Sequence, residues 1–112
     1  MKTLIAIPTT NGMLSPHFGH CEKFVIFTAD DGKIVKEEAV IPPAHEPGAF
    51  PAFLRNLGVN AIIAGGMGSR AQQLFTQNDI QVIIGVQESE PKELVEQYLL
   101  QTLQSGTNLC DH

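Results

Sequence analysis

Between Ser15 and Cys21 the chain reads Ser-Pro-His-Phe-Gly-His-Cys, which sets two imidazoles and a thiol close together. These are the donors that borderline and soft metal ions take. Pro16 and Gly19 bend such a stretch, so His17, His20 and Cys21 can be aimed at one point. A plain structural reading stands beside this one: His17 closes a turn, His20 is solvated, and Cys21 faces the core as a small apolar residue. Spacing alone leaves the two level, because three donors fall short of the four that close a structural metal site.

Three other places carry donor or anion-binding chemistry. The end of the chain, Cys110-Asp111-His112, places a second thiol and imidazole on a tail that could swing to the first cluster, although most chain ends carry no function. Gly65-Gly66-Met67-Gly68-Ser69 lies between an apolar run and a helical pattern, where backbone amides and a helix dipole favour an anion. The order of its glycines does not match a dinucleotide fingerprint, no P-loop lysine follows, and a tight turn accounts for the glycines equally well. Met67 is a soft ligand or, more commonly, a packing residue. His45 sits among prolines and reads as a solvated loop histidine. No pair of carboxylates stands out for acid–base work, and Cys21 as a nucleophile would need a histidine partner that sequence cannot supply, so an enzyme is not expected.

The elements that must position these groups are legible in the apolar pattern. Lys2 to Pro8 reads as a buried strand ending in the loop Thr9-Thr10-Asn11-Gly12, and Glu22 to Ala29 as a second strand. Asp30-Asp31-Gly32 turns the chain into a third, Lys33 to Ile41, paired antiparallel with the second. The prolines of 42–47 end the sheet pattern, and Phe50, Phe53, Leu54 and Leu57 mark a helix from Ala49 to Leu57. A strand at 60–64, a helix at Arg70 to Asn78 capped by Ser69, a strand at Ile80 to Ile84 and a last helix follow. In that helix Ser89 caps, Pro91 opens the first turn, and Leu94, Val95, Tyr98 and Leu99 form the buried stripe.

The order is therefore βββαβαβα, which implies an α/β fold with a mixed five-stranded sheet and helices on both faces. Residues 1–106 read as one domain and 107–112 as a Cys/His-containing tail. A chain of 112 residues with 43% hydrophobic and 17% charged residues is sized for one core. The formal net charge of −5 and only seven Lys and Arg argue against a nucleic-acid partner. The short apolar N-terminus is too brief for an export signal or a membrane span, so a cytoplasmic protein with reduced thiols is expected, a monomer or weak homo-oligomer.

Taken together, Lys2 to Pro8, Ser15-Pro16-His17-Phe18-Gly19-His20-Cys21-Glu22-Lys23-Phe24, Asn60 to Gly68 and Gln81 to Gly85 resemble the dinitrogenase iron-molybdenum cofactor-binding proteins. That family includes NifX, NafY and the C-terminal domain of NifB, and the resemblance covers nearly the whole chain. It implies a ribonuclease H-like fold and the binding or carriage of an iron-sulfur or iron-molybdenum (heterometal-sulfur) cluster, with proteins that donate and accept the cluster as partners. The histidine of the family's His-Phe-Gly motif contacts the cluster, a role that carries over to His17 with Phe18 and Gly19 beside it. His20 and Cys21 match the small stand-alone members, and the Cys110 to His112 tail resembles the Cys/His-rich ends of some of them.

Overall fold

The computed structural model describes residues 2–16, 21–43 and 48–103. Its elements are β1 (Lys2–Thr10), β2 (Met13–Leu14), β3 (Lys23–Asp30), β4 (Lys33–Val40), α1 (Ala49–Asn56), β5 (Ala61–Ile63), α2 (Ser69–Gln77), β6 (Gln81–Ile83) and α3 (Pro91–Leu99). They form one mixed sheet in the order β4-β3-β1-β5-β6, with β2 paired to the end of β1. β1 is antiparallel to β3 and parallel to β5, and β5 is parallel to β6.

The alternation of a strand's side chains explains why one sheet carries two cores. On one face Ala6, Phe24, Ile26 and Ile62 pack against Phe50 and Leu54 of α1 and Phe75 of α2. Ile5, Ile7, Phe27 and Ile63 face the other way, onto Leu94 and Val95 of α3. Each helix presents its apolar stripe to the sheet, and Phe24 meets Phe50 edge to face at 5.3 Å. Helices on both faces are thus required by the sequence of β1, which is apolar at successive positions because neither face meets water.

Asn60 registers the parallel half. Its side-chain Oδ1 accepts the Leu4 N–H at 2.8 Å, its own N–H donates to the Leu4 carbonyl at 2.8 Å, and its carbonyl accepts the Gln81 N–H at 2.9 Å. One residue therefore ties β1, β5 and β6 at their entry.

The expected hairpin at Asp31-Gly32 is present: both residues have left-handed backbone, φ 53° and 80°, as a tight two-residue turn requires. β4 is an edge strand. Its pairing with β3 shifts between Thr28 and Ala29, which bulges β4 at Val35, and it carries Lys33, Lys36, Glu37 and Glu38. A bulge and charges on an outer strand block pairing with another chain.

Several boundaries differ from the sequence expectation. The segment after Pro8, expected as loop, continues the strand to Thr10 and returns through a second hairpin turn, Asn11-Gly12 (φ 55° and 81°), into the short strand β2. The sheet therefore has a sixth strand, and the order becomes ββββαβαβα. The cap of α2 is Gly68, not Ser69, which is already helical, and the cap of α3 is Glu90, not Ser89. Neither cap makes a side-chain hydrogen bond; Pro91 does occupy the first turn of α3, where a missing N–H costs nothing.

Candidate functional site

β1 and β5 run parallel, with Ile5 beside Ala61 and Ala6 beside Ile62, so both end at the same edge of the sheet. From there their continuations part. After β1 the chain turns first to the β5 side, where β2 pairs with Thr9 and Thr10, and then crosses to β3 on the other side; after β5 it passes through α2 to β6. In open α/β sheets ligands bind outside the carboxyl ends of the parallel strands, and β1 and β5 present theirs side by side. Ser15, Cys21 and Glu22, at the described ends of one connection, and the Gly65 to Gly68 turn lie at this edge of the sheet.

Hydrogen bonds to consecutive carbonyls of β1 pin the first connection at both ends. The Ser15 N–H donates to the Pro8 carbonyl and the Glu22 N–H to the Thr9 carbonyl, each at 2.8 Å. Leu14, wholly buried, donates its N–H to the Ser89 carbonyl at 3.1 Å, which fastens β2 to the loop before α3. Two side chains add to this frame. The buried Thr9 hydroxyl donates to the Lys23 carbonyl at 3.1 Å, and the Glu22 Oε1 accepts the Asn11 N–H at 2.8 Å. Nothing in the spacing of ligands pointed to Thr9 or Glu22; the signal was Asn11-Gly12, a hairpin dipeptide followed by apolar Met13-Leu14.

Cys21 is half-buried and packs against the core beneath α1 and α2. Burial pushes its thiol up to about 11, against the partial opposition of a hydrogen bond from the backbone. At neutral pH it is a protonated thiol, poorly suited to act as a nucleophile. A metal would have to displace that proton to gain the thiolate.

The glycine turn is held from behind. The Gly65 carbonyl accepts the Gly85 N–H at 3.0 Å, and the Met67 carbonyl accepts the Gln72 Nε2 at 2.9 Å. Gly65, Gly66 and Met67 are buried, and the Met67 side chain belongs to the core, the packing alternative of the two weighed from sequence. None of Gly65, Gly66 and Gly68 has the left-handed backbone that only glycine adopts readily. At Gly68 an added Cβ would meet nothing within 4 Å, so its lack of a side chain leaves the start of α2 open. That helix has no acidic residue in its first turn, and the positive end of its dipole is not offset by its own side chains.

His17, Phe18, Gly19, His20, His45, Cys110 and His112 lie outside the described residues. Among the described residues no group of three His, Cys, Asp or Glu side chains is gathered as a metal site. On the opposite sheet face, between α3 and the strands β3 and β4, lies a groove of about 620 Å³ with Val25, Phe27 and Ala39 in its floor and Glu22, Lys23 and Lys92 at its margins. No helix among the described residues is long and apolar enough to cross a membrane.

The fold is that of a known class of chain. Residues 1–101 match the dinitrogenase iron-molybdenum cofactor family, and the protein belongs to that family. An uncharacterized protein of Methanocaldococcus jannaschii is 43% identical over 83 residues, covering 70% of each chain. Among solved structures, PH0822 superposes with a TM-score of 0.87 at 24% identity, over 96% of this chain and 99% of its own. The apo form of the orange protein from Desulfovibrio gigas gives 0.79 at 20% identity, over 95% and 94%. At these identities the two structures establish the shared fold.

Proposed function

We propose that the protein binds or carries an iron-sulfur or iron-molybdenum-type cluster as cargo, in the assembly or trafficking of such clusters, and that it is not an enzyme. The observation that supports this reading is that β1 and β5, adjacent and parallel, end at one edge of the sheet, where Cys21 and the glycine turn follow, in a chain of the cofactor family. His17, His20 and Cys21 supply nitrogen and sulfur ligands, with Phe18 and Gly19 alongside. The amides of Gly65 to Gly68 face the cargo's sulfides or a bound anion, and Cys110 and His112 add donors from the tail. Few ligands suit a carrier, since a site with open positions releases its cargo to an acceptor, whereas four good ligands retain it. A cytoplasmic location and donor and acceptor proteins as partners follow from the same reading.

Anaerobic reconstitution with iron and sulfide, and in parallel with molybdate and sulfide, tests it. The parent is expected to acquire metal and a visible charge-transfer absorption, and His17→Ala and Cys21→Ala to lose most of both. Equal loading of these variants and the parent would show that the ligands are elsewhere. The packing of Cys21 against the core favours one rival, a metal-free interaction module of the same fold. A parent that takes up no metal from either mixture would support that module.

A further inference from the structure

We infer that Glu22 is a positioning residue of this rim, holding the backbone at Cys21 through a hydrogen bond to the Asn11-Gly12 turn. The inference deepens the cargo reading and rests on it for its purpose, but its geometry is independent of any bound metal. Cys21 and Glu22 are neighbours whose side chains serve opposite sides of the sheet. Cys21 packs against the core under α1 and α2, and Glu22 reaches over to the hairpin and borders the groove beside α3.

Glu22 is engaged twice. Its N–H is bound to the Thr9 carbonyl at 2.8 Å, and its Oε1 receives the Asn11 N–H at 2.8 Å. The second bond closes a ring of contacts: Thr9 leads through Thr10 to Asn11, Asn11 to Glu22, and Glu22 back to Thr9. Asn11 has left-handed backbone, φ 55°, and its N–H is the one the Glu22 carboxyl accepts at 2.8 Å. Without this bond the side chain no longer ties the residue after Cys21 to the turn, and only its own N–H bond to Thr9 and the pairing of Lys23 with Thr9 remain. With it, the exit of the donor segment keeps a fixed direction relative to β1.

The test uses the full chain, metal-free, with Glu22→Ala and Glu22→Gln. Glutamine keeps an Oε1 acceptor, so it should restore what alanine removes. Amide hydrogen exchange at Asn11 and Glu22 is expected to rise about fivefold in Glu22→Ala, the equivalent of one ordinary hydrogen bond, and to stay within about twofold of the parent in Glu22→Gln. Exchange in β5 and α2 serves as the measure of global stability and should not change. Unchanged exchange at the Glu22 N–H in Glu22→Ala, or an equal rise across β5 and α2, would overturn the positioning role. Binding of Co²⁺, followed by its thiolate charge-transfer band, is the separate measure of the cargo reading. No band in the parent speaks against that reading and leaves the exchange result to decide the role of Glu22 alone.

Discussion

Asn11-Gly12 and Asp31-Gly32 are turns of the same hand, each with two residues of left-handed backbone, yet the strands they return to the sheet are opposites. Asp31-Gly32 delivers β4, eight residues long, bulged and mostly exposed on the outer edge. Asn11-Gly12 delivers β2, two residues long, whose Leu14 is wholly buried between β1 and the loop before α3. The long return strand finishes the sheet. The short one ends at the Ser15 bond to the Pro8 carbonyl, because Pro8 has no N–H to return, and so frees the chain at the rim. Strand length is thus a poor guide to structural weight here.

The sharpest break of this contrast compares Leu14→Ala with Val35→Ala. Leu14 has no exposure, and its truncation should cost about 2–5 kcal/mol by denaturant unfolding, since it leaves a cavity in the α3-side core. Val35, at 60% exposure in the bulge, should cost no more than about 0.5 kcal/mol. Similar losses for both would mean that β2 is dispensable to the core.

Next in size are the two turn glycines. Neither Gly12 nor Gly32 has any atom within 4 Å of where a Cβ would stand, so alanine is penalised by backbone conformation alone. Each replacement should lower stability by about 1–2 kcal/mol. Their consequences for cargo should separate: Gly12→Ala reduces iron uptake in reconstitution, and Gly32→Ala leaves it at the parental level. Equal uptake by both variants would remove the hairpin from the site's support.

The smallest effect is one of pH. The folded thiol of Cys21 titrates near 11 where an ordinary thiol titrates near 9.0, so folding favours the protonated form. The corresponding stability is complete below about pH 9 and is lost as pH rises through about 11. Stability of the parent should therefore decline over that interval relative to Cys21→Ala, measured in a Cys110→Ser background so that one thiol titrates. Parallel curves would show that Cys21 is no more buried folded than unfolded.

Most of the architecture was legible in the sequence because long periodic segments declare themselves. Phe50, Phe53 and Leu54 mark α1, and Asp31-Gly32 marks the hairpin without ambiguity. β2 was not legible from periodicity, since Met13-Leu14 spans a single repeat, and only the preceding Asn-Gly hinted at it. The helix caps moved by one residue because Ser69 and Ser89 are typical capping types, while backbone direction left the cap positions to Gly68 and Glu90. At the rim the glycine turn was placed correctly between β5 and α2, but the burial of Met67 and the half-burial of Cys21 depend on which way a loop packs. That is a tertiary property with no period to read. Glu22 escaped notice for a related reason: a lone acid beside a ligand cluster looks like a solvated charge until its partner, eleven residues earlier, is known.

The mixed pairing of β1 also bears on how the chain is made. β3 and β4 meet across a tight turn, and β1 meets β3 across the short rim hairpin, so this antiparallel half can assemble soon after Val40 is synthesised. Ile5 and Ala6 must wait for Ala61 and Ile62, at the end of a much longer loop whose closure is slower. Until β5 arrives, β1 offers an apolar strand edge with unpaired backbone groups, the kind that recruits other nascent chains. The growing polypeptide is therefore most vulnerable to association between the completion of β4 and the emergence of Asn60, whose paired bonds to Leu4 begin to close the length of that edge that β2 does not cover.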